Sequence, residues 1–516
     1  MEQKPVNIND ERSVRLQKLR DLQESGIDAY PARSSRTHTT TEAMQENHDA
    51  TVTIAGRIMV KREMGKLTFC HIQDESGKIQ VVLKKDDLGE ESYKMFVKKL
   101  DAGDIIQVTG ERFITQKGEE SVLVKSFTLL AKALLPLPDK FYGLQDEEIK
   151  MRKRYLDFIV NSELKNKIVT RSKLVRSLRE FMYAKGFIEV ETPMLETVAS
   201  GALAKTFDTH FNAYDMPVHL RIAIEIPQKR LLVGGFEKIF EIGRCFRNEG
   251  VDHQHNPEFT QIEYYWAYAD YEDNMKLHEE MLPRIIADAI GGLEIELEGN
   301  TINFKPPYKR VTFRDIVLEY SGIDLNIADT KEKLAEAMKA SGHAVDPKAG
   351  FGRLADDLYK ATARPKIIQP TFVLNYPAEL KPLAKHAEDR RYTEMFQLIV
   401  NGFEVSNSYT ELNDPIDQRK RFASQAENKK AGDDEAMEMD DDFVEALEYG
   451  MPPATGTGIG IDRLAALITG SHTLKDVIVF PIVKPIHYTL KAETGKFKLK
   501  FPDDTLTNDK GKKEKK

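Results

Sequence analysis

Two cysteines in 516 residues, Cys70 and Cys245, are too few for a disulfide framework or a cysteine zinc site. They fit a reducing compartment. Long apolar runs are missing as well. No stretch approaches the roughly 18 consecutive apolar residues of a membrane helix. The polar opening MEQKPVNIND has no signal core. The expectation is a soluble, cytoplasmic chain. Net charge is −8, so no global positive field exists, and nucleic acid would have to be met by a local basic patch. There is no internal repeat. No Gly-Lys-Ser/Thr follows a glycine run, which excludes a P-loop. Gly456, Gly458 and Gly460 do not fit G-x-G-x-x-G, which excludes the dinucleotide fingerprint. What remains is 41% hydrophobic and 31% charged, as in a globular protein, and long enough for two or more domains.

The pattern changes along the chain. Residues 9–26 read as an amphipathic helix ended by Gly26. Between 51 and 135, TVTIAGRIM, KLTFCHIQD, KIQVVLK, DIIQVTGERF and SVLVKSFTLLA read as five short strands, and an OB-fold barrel is the first candidate. LLPLPDK reads as a linker. Residues 162–185 predict a long helix capped by Ser162 and stopped by Gly186. Further strands are predicted at FIEVETPML, HLRIAIEI, KIFEIGRCF, EFTQIEYYWAY, TFVLNYP and FQLIVNGFEV. They do not alternate with helices, so a large mixed or antiparallel sheet is favoured over a doubly wound one. GDDEAMEMDDDFVE reads as a solvated helix start or loop, and NDKGKKEKK closes a tail expected to be mobile.

Two stretches carry the chemistry. FRNEGVDHQHNPEFTQIEYYWAY, at 246–268, combines Arg247, His253, His255, Phe259 and the glutamates Glu249, Glu258 and Glu263. Cation, aromatic face and acceptors together suit a nucleotide whose phosphates are gripped while its base is stacked. GTGIGIDRL, at 456–464, brings spaced glycines up to Arg463. Glu225, Glu263, Glu404 and Glu411 each sit in an apolar, strand-like segment. Singly, each would be read as a solvent-facing strand residue. Together, beside phosphate ligands, they call for a cation, either Mg²⁺ or an ammonium substrate. The two histidines of DHQH have no further ligands at zinc spacing, so a phosphate contact or structural hydrogen bond is the better reading. In the barrel, Phe69 stands near the basic stretch VKREMGK. Such a phenylalanine belongs either to the barrel core or to a base-stacking platform.

These residues resemble those of class II lysyl-tRNA synthetases, over nearly all of residues 9–485. GFIEVETPML, with Pro193, is similar to the family's motif 1, FRNEG…HNPEFT to motif 2 and GTGIGIDRL to motif 3. PLAKHAEDR, NSYTELNDPIDQ, AGDDEAM and LPDKFYGLQDEE resemble the lysine branch. The resemblance implies an α+β chain. Residues 1–140 would be an N-terminal helix and OB-fold that reads the anticodon, and 141–161 a linker. Residues 162–486 would be an antiparallel-sheet catalytic domain, and 487–516 a basic tail. It also implies a homodimer through the motif 1 region. The activity would be lysine activation with ATP, followed by transfer to tRNA(Lys).

The roles implied residue by residue are these. Arg247 holds the α-phosphate and the lysine carboxylate, Glu249 and the Asn256 backbone contact adenine, Phe259 and Arg463 sandwich it, and His255 joins the ATP site. Gly201 and Glu225 take the α-amino group. Glu411 and Tyr265 take the ε-ammonium, with Glu263, Asn407 and Tyr409 lining the pocket. Glu404 binds Mg²⁺. Arg62, Phe69 and Gln80 touch anticodon bases. The chain departs from the family at four places. Gln397 stands where a second metal-binding glutamate is usual, RIAIEIPQKRL replaces RIAPELYLKRL, Gln254 replaces an arginine, and the tail after Pro485 has no counterpart. Aspartyl- and asparaginyl-tRNA synthetases share the architecture but need a positive pocket, where Glu225 and Glu411 offer negative charge. A paralogue that lysylates protein would have no barrel. Gln397 keeps open a catalytically inactive RNA-binding relative.

Overall fold

The computed structural model describes residues 8–138, 147–198, 200–202, 204–253, 255–430, 437 and 439–484. The chain forms two compact units, residues 1–146 and 147–516. Gln254, most of AGDDEAM, residues 139–146 and the tail beyond 484 lie outside the described residues.

In the first unit, the helix Ile8–Glu24 precedes a closed five-stranded barrel. The strands Thr51–Met64, Leu67–Gln73, Lys78–Lys84, Glu120–Ala131 and Ile105–Ile114 are neighbours in that order, and the last returns to the first. Alternation drives this closure. Ile54, Ile58, Cys70, Ile72, Val81, Leu83, Val108, Val122 and Val124 fill the interior, each contributing roughly 1.5–3 kcal/mol where a full aliphatic side chain is buried. A Cβ at Gly110 would lie 2.1 Å from the Leu123 carbonyl oxygen, so the curved pairing there requires glycine.

The second unit is built on an eight-stranded sheet. Its order is Lys309–Thr312, Thr371–Leu374, Met395–Val400, Phe403–Thr410, Ala454–Gly460, Glu258–Ala267, Lys238–Phe246 and Ile188–Glu189. Only the two outermost pairs are parallel. One face carries Phe240, Ile262, Tyr264, Phe396, Leu398 and Ile459, packed with Phe181, Met182, Met281 and Ile285 of the helices Ser162–Ala184 and Tyr271–Ile290. The other face is roofed at both ends. Helices between 313 and 362 cover Val373, Met395 and Ile399. The helices Glu225–Val233 and Asp441–Glu448 cover Ile239 and Tyr265. The space between the two roofs is the site.

Four expectations change in the structure. Asn161, not Ser162, caps the long helix, its side chain accepting from the Leu164 N–H at 3.2 Å. FIEVETPML holds only two-residue strands, Ile188–Glu189 and Leu195–Glu196. HLRIAIEI is not one strand. The strand Met216–Leu220 takes in only its first two residues, and Glu225 opens a helix whose first turn accepts Pro227, because that turn's N–H groups have no intrahelical acceptor. FQLIVNGFEV is a hairpin rather than one strand. Asn401 and Gly402 turn with φ of 48° and 74°, the positive values of a two-residue type I′ turn. Within the segment read as a linker, Glu147–Arg152 and Arg154–Val160 are short helices. Cys70 and Cys245 are free and buried. No helix among the described residues is long and apolar enough to cross a membrane.

Candidate active site

Strand register lays out the floor of the site. Gln397 pairs with Asn407, Asn407 with Gly458, Gly458 with Glu263, and Glu263 with Glu241, one continuous row across five strands. Two residues along, Tyr409, Gly456 and Tyr265 form the next row on the same face. A cavity of about 1100 Å³ opens above them. It is lined by Gly201, Glu225, Arg247, Glu249, His255, Asn256, Phe259, Glu263, Tyr265, Gln397, Glu404, Asn407, Tyr409 and Arg463, residues expected far apart in sequence to share one site. Glu411 is not itself in the lining. It lies behind Gly456 and Tyr265, and a Cβ at Gly456 would stand 2.2 Å from Glu411 Oε1. Glycine at 456 is what keeps that oxygen within reach of the cavity.

One end of the cavity is acidic and dry. Glu225, Glu263 and Glu411 are 6%, 6% and 1% exposed. Tyr409 donates its hydroxyl to Glu225 Oε2 at 2.6 Å. Ile224 N–H donates to Glu263 Oε1 at 3.2 Å. Burial, and next the Glu225 charge, push the Glu263 carboxyl up to about 8, so it holds a proton near neutrality. Neither oxygen of Glu411 has a geometrically formed hydrogen bond among the described residues; Oε2 has the Lys229 ammonium 2.5 Å away, and Oε1 has no ion-pair partner. A buried carboxylate oxygen without a donor is costly unless a ligand supplies one. Sequence reading missed Lys229, whose ammonium lies 2.6 Å from Glu225 Oε1 and 2.5 Å from Glu411 Oε2.

The other end is cationic. Arg247 Nε donates to the Ile222 carbonyl at 3.4 Å, and its guanidinium lies 5.1 Å from the centre of the Phe259 ring. It is half-buried rather than buried, one residue past the end of its strand. Arg463 Nη1 donates to the Glu404 carbonyl at 3.4 Å. Neither arginine has a carboxylate partner within 4.0 Å among the described residues. The same holds for Arg364 and Lys381, two further cations of this wall that sequence reading missed. Burial would raise the Glu404 carboxyl, but Arg463, Lys381 and Arg364 together hold it below its usual range. His255 is exposed and bonded to Asp252, with Nδ1 to Oδ2 at 2.9 Å. Asn256 is buried, and its Oδ1 has no hydrogen-bond partner among the described residues.

At the end of the row, Arg221 and Glu241 form a buried ion pair at 2.6 Å, and Glu241 Oε2 accepts from Thr192, beside Pro193. Pro193, Met194, Leu195 and Ile188 are exposed.

In the barrel, Phe69 faces Arg62 on one neighbouring strand and Val82 on the other. It lies outside the barrel core, so the core reading of Phe69 is not the one adopted. Arg62 is exposed. Gln80 is 5% exposed and pairs with His71, whose Nε2 meets Glu119 Oε1 at 2.8 Å.

Comparison with known proteins agrees with this geometry. A family model described as tRNA synthetases class II (D, K and N) matches residues 146–484, and one described as an OB-fold nucleic acid binding domain matches 52–130. A lysine–tRNA ligase of Pelotomaculum thermopropionicum is 48% identical over 93% of this chain and 96% of its own. One of Carboxydothermus hydrogenoformans is 48% identical over 93% and 99%. One of Bacillus subtilis is 46% identical over 92% and 97%. The chain belongs to the lysine–tRNA ligase family of class II tRNA synthetases.

Proposed function

We propose that the chain activates L-lysine with ATP, forming lysyl-adenylate and pyrophosphate, and then transfers lysine to the 3′ end of tRNA(Lys) in the cytoplasm. The observation that carries this reading is the polarity of the cavity. Buried carboxylates stand at one end and arginines without carboxylate partners at the other. A lysine zwitterion has the complementary polarity, with its ammonium at one end and its carboxylate at the other. An oxygen of that carboxylate attacks the α-phosphorus, the bond from the α-phosphorus to the bridging oxygen breaks, and pyrophosphate leaves with the electron pair. No proton moves, so no general base is required. Two anions must approach, and Arg247 and Arg463 lower that barrier by holding positive charge where they meet. Phe259 and Arg463 stack the adenine, Glu249 and Asn256 contact its edge, and His255 faces the phosphates. Gly201 and Glu225 take the α-amino group. Glu411, Tyr265, Glu263, Asn407 and Tyr409 surround the ε-ammonium.

Glu404 and the carbonyl oxygen of Gln397 would hold Mg²⁺. No group of three metal-ligating side chains forms among the described residues, so the ion needs phosphate oxygens and water as well, its usual surroundings. Mg²⁺ would supply neutralisation of the ATP phosphates, and Arg364 and Lys381 add protein charge to the same wall.

In ATP–pyrophosphate exchange with a panel of amino acids, lysine alone is expected to stimulate. A neutral, apolar side chain would bring no donor to the buried Glu411 Oε1, which has no hydrogen-bond partner among the described residues. Stimulation by aspartate or asparagine instead of lysine would refute the substrate. Arg62, Phe69 and Gln80 are assigned to anticodon bases. Phe69→Ala is expected to reduce tRNA lysylation by the equivalent of about 1–3 kcal/mol while leaving exchange unchanged. Because the ring lies outside the barrel core, thermal stability should hold. Equal loss of both activities would argue against a base contact. The exposed apolar group Ile188, Met194 and Leu195 beside Pro193 is assigned to the homodimer contact.

A further inference from the structure

Lys229 follows Glu225 by one helical turn, the spacing at which side chains meet on a helix. It is 0% exposed. A lysine stays buried only when it is paired, and this one bridges Glu225 and Glu411. Its ammonium also lies 5.6 Å from the Tyr409 ring centre and 5.8 Å from that of Phe443. Burial alone would push Lys229 down, yet the two carboxylates hold it above the usual lysine range, so it stays charged. The charged and titratable groups around it are Glu225 on its own helix, Glu411 and Tyr409 from the Phe403–Thr410 arm, and Glu263 and Tyr265 from the central strand. Phe443 comes from the helix Asp441–Glu448, and Asp440 at the start of that helix pairs with Arg230 instead, at 3.1 Å.

The charge balance of this end is then specific. With Glu263 holding a proton, Glu225 and Glu411 share one internal ammonium; burial pushes the Glu411 carboxyl well up, and the Lys229 ammonium opposes that push. Without Lys229, two buried carboxylates would repel one another, and one would take up a proton. With it, Oε2 of Glu411 is in ion-pair contact at 2.5 Å, while Oε1, beside Gly456, has neither an ion-pair nor a hydrogen-bond partner among the described residues. We propose that Lys229 is a positioning residue for amino-acid recognition: it ties Glu225 to Glu411 and leaves the second oxygen of Glu411 to meet the ε-ammonium of the substrate. This rests on the lysine reading given above.

The test compares full-length wild type, Lys229→Met and Lys229→Arg in lysine-dependent ATP–pyrophosphate exchange between pH 6 and 9. Lysine KM, ATP KM and thermal stability are measured for each. Lys229→Met is expected to raise lysine KM roughly 100-fold, since breaking a buried pair is among the largest single effects. ATP KM should stay within a few-fold. The acid limb of kcat/KM for lysine should move to higher pH, because a carboxylate must now lose a proton before lysine binds. Lys229→Arg keeps the charge, so its acid limb should stay in place and part of the lysine affinity should return. Unchanged lysine KM and pH profile in Lys229→Met would overturn the proposal. So would a parallel rise of both KM values together with lost thermal stability, which is the signature of a merely structural role. If Lys229→Met does not fold, Lys229→Arg decides alone: a raised lysine KM with an unmoved acid limb supports the proposal, and wild-type lysine KM overturns it. Wild-type enzyme that fails to respond to lysine would sink the substrate reading itself, whatever Lys229 does.

Discussion

Arg247→Ala is expected to cut lysine-dependent ATP–pyrophosphate exchange by roughly 10²–10³-fold, the usual loss when one preorganised charge contact is removed from a reacting centre. The reasoning is local. The Arg247 backbone is fixed by its own N–H, which donates to the Pro257 carbonyl at 2.8 Å. Among the described residues, its guanidinium hydrogen-bonds the Ile222 carbonyl and lies over the face of Phe259. In a protein that ties most of its arginines to carboxylates, one left facing a cavity is available to an anionic ligand. Alanine removes the charge and the stacking together, so kcat and ATP affinity should both fall. Thermal stability should change little, because the side chain is half-exposed and no buried carboxylate loses a partner. Exchange within a few-fold of wild type would take Arg247 out of the reaction.

Glu411→Gln is expected to act on the opposite substrate end. An amide is nearly isosteric, so the pocket keeps its shape and loses one charge. Leaving a buried ammonium without its counter-charge costs about 3–5 kcal/mol, equivalent to a loss of roughly 150- to 4,000-fold in kcat/KM for lysine. ATP KM should stay near wild type, because the arginines of the far wall are untouched. Exchange kinetics at varied lysine, with calorimetric titration of lysine alone, check this. An unchanged lysine KM would remove Glu411 from recognition.

The barrel was readable because its strands alternate cleanly between a filled interior and an outer face. Arg247, Phe259 and Arg463 were readable because basic and aromatic residues crowd into two short segments. Lys229 was hidden by reading HLRIAIEI as a strand, which would throw Glu225 and Lys229 apart. Pro227 and the four-residue Glu–Lys spacing were the available signals of a helix. The Asn401–Gly402 dipeptide was a further overlooked signal. Its turn folds the chain back, so that Gln397 stands opposite Asn407 instead of extending away from it. Arg364 and Lys381 left no trace in local pattern. They reach the cavity only because helices between 313 and 362 pack on the sheet, and that is a tertiary fact. The same is true of Arg221 and Glu241, which are 20 residues apart and meet at the edge of the floor.

The enclosure of the acidic end has a consequence for how the two halves of the reaction respond to ionic strength. Mobile ions screen exposed charges over about 8 Å at physiological salt, and they screen buried ones much less; the carboxylates here are 6% exposed or less. Lysine capture should therefore be nearly indifferent to added salt. Arg62 and Lys66 of the barrel face water, and a polyanion bound there releases counterions, so tRNA capture should weaken steeply with salt. One chain would thus charge its amino acid at a constant rate while its choice of when to unload is set by the electrolyte around it.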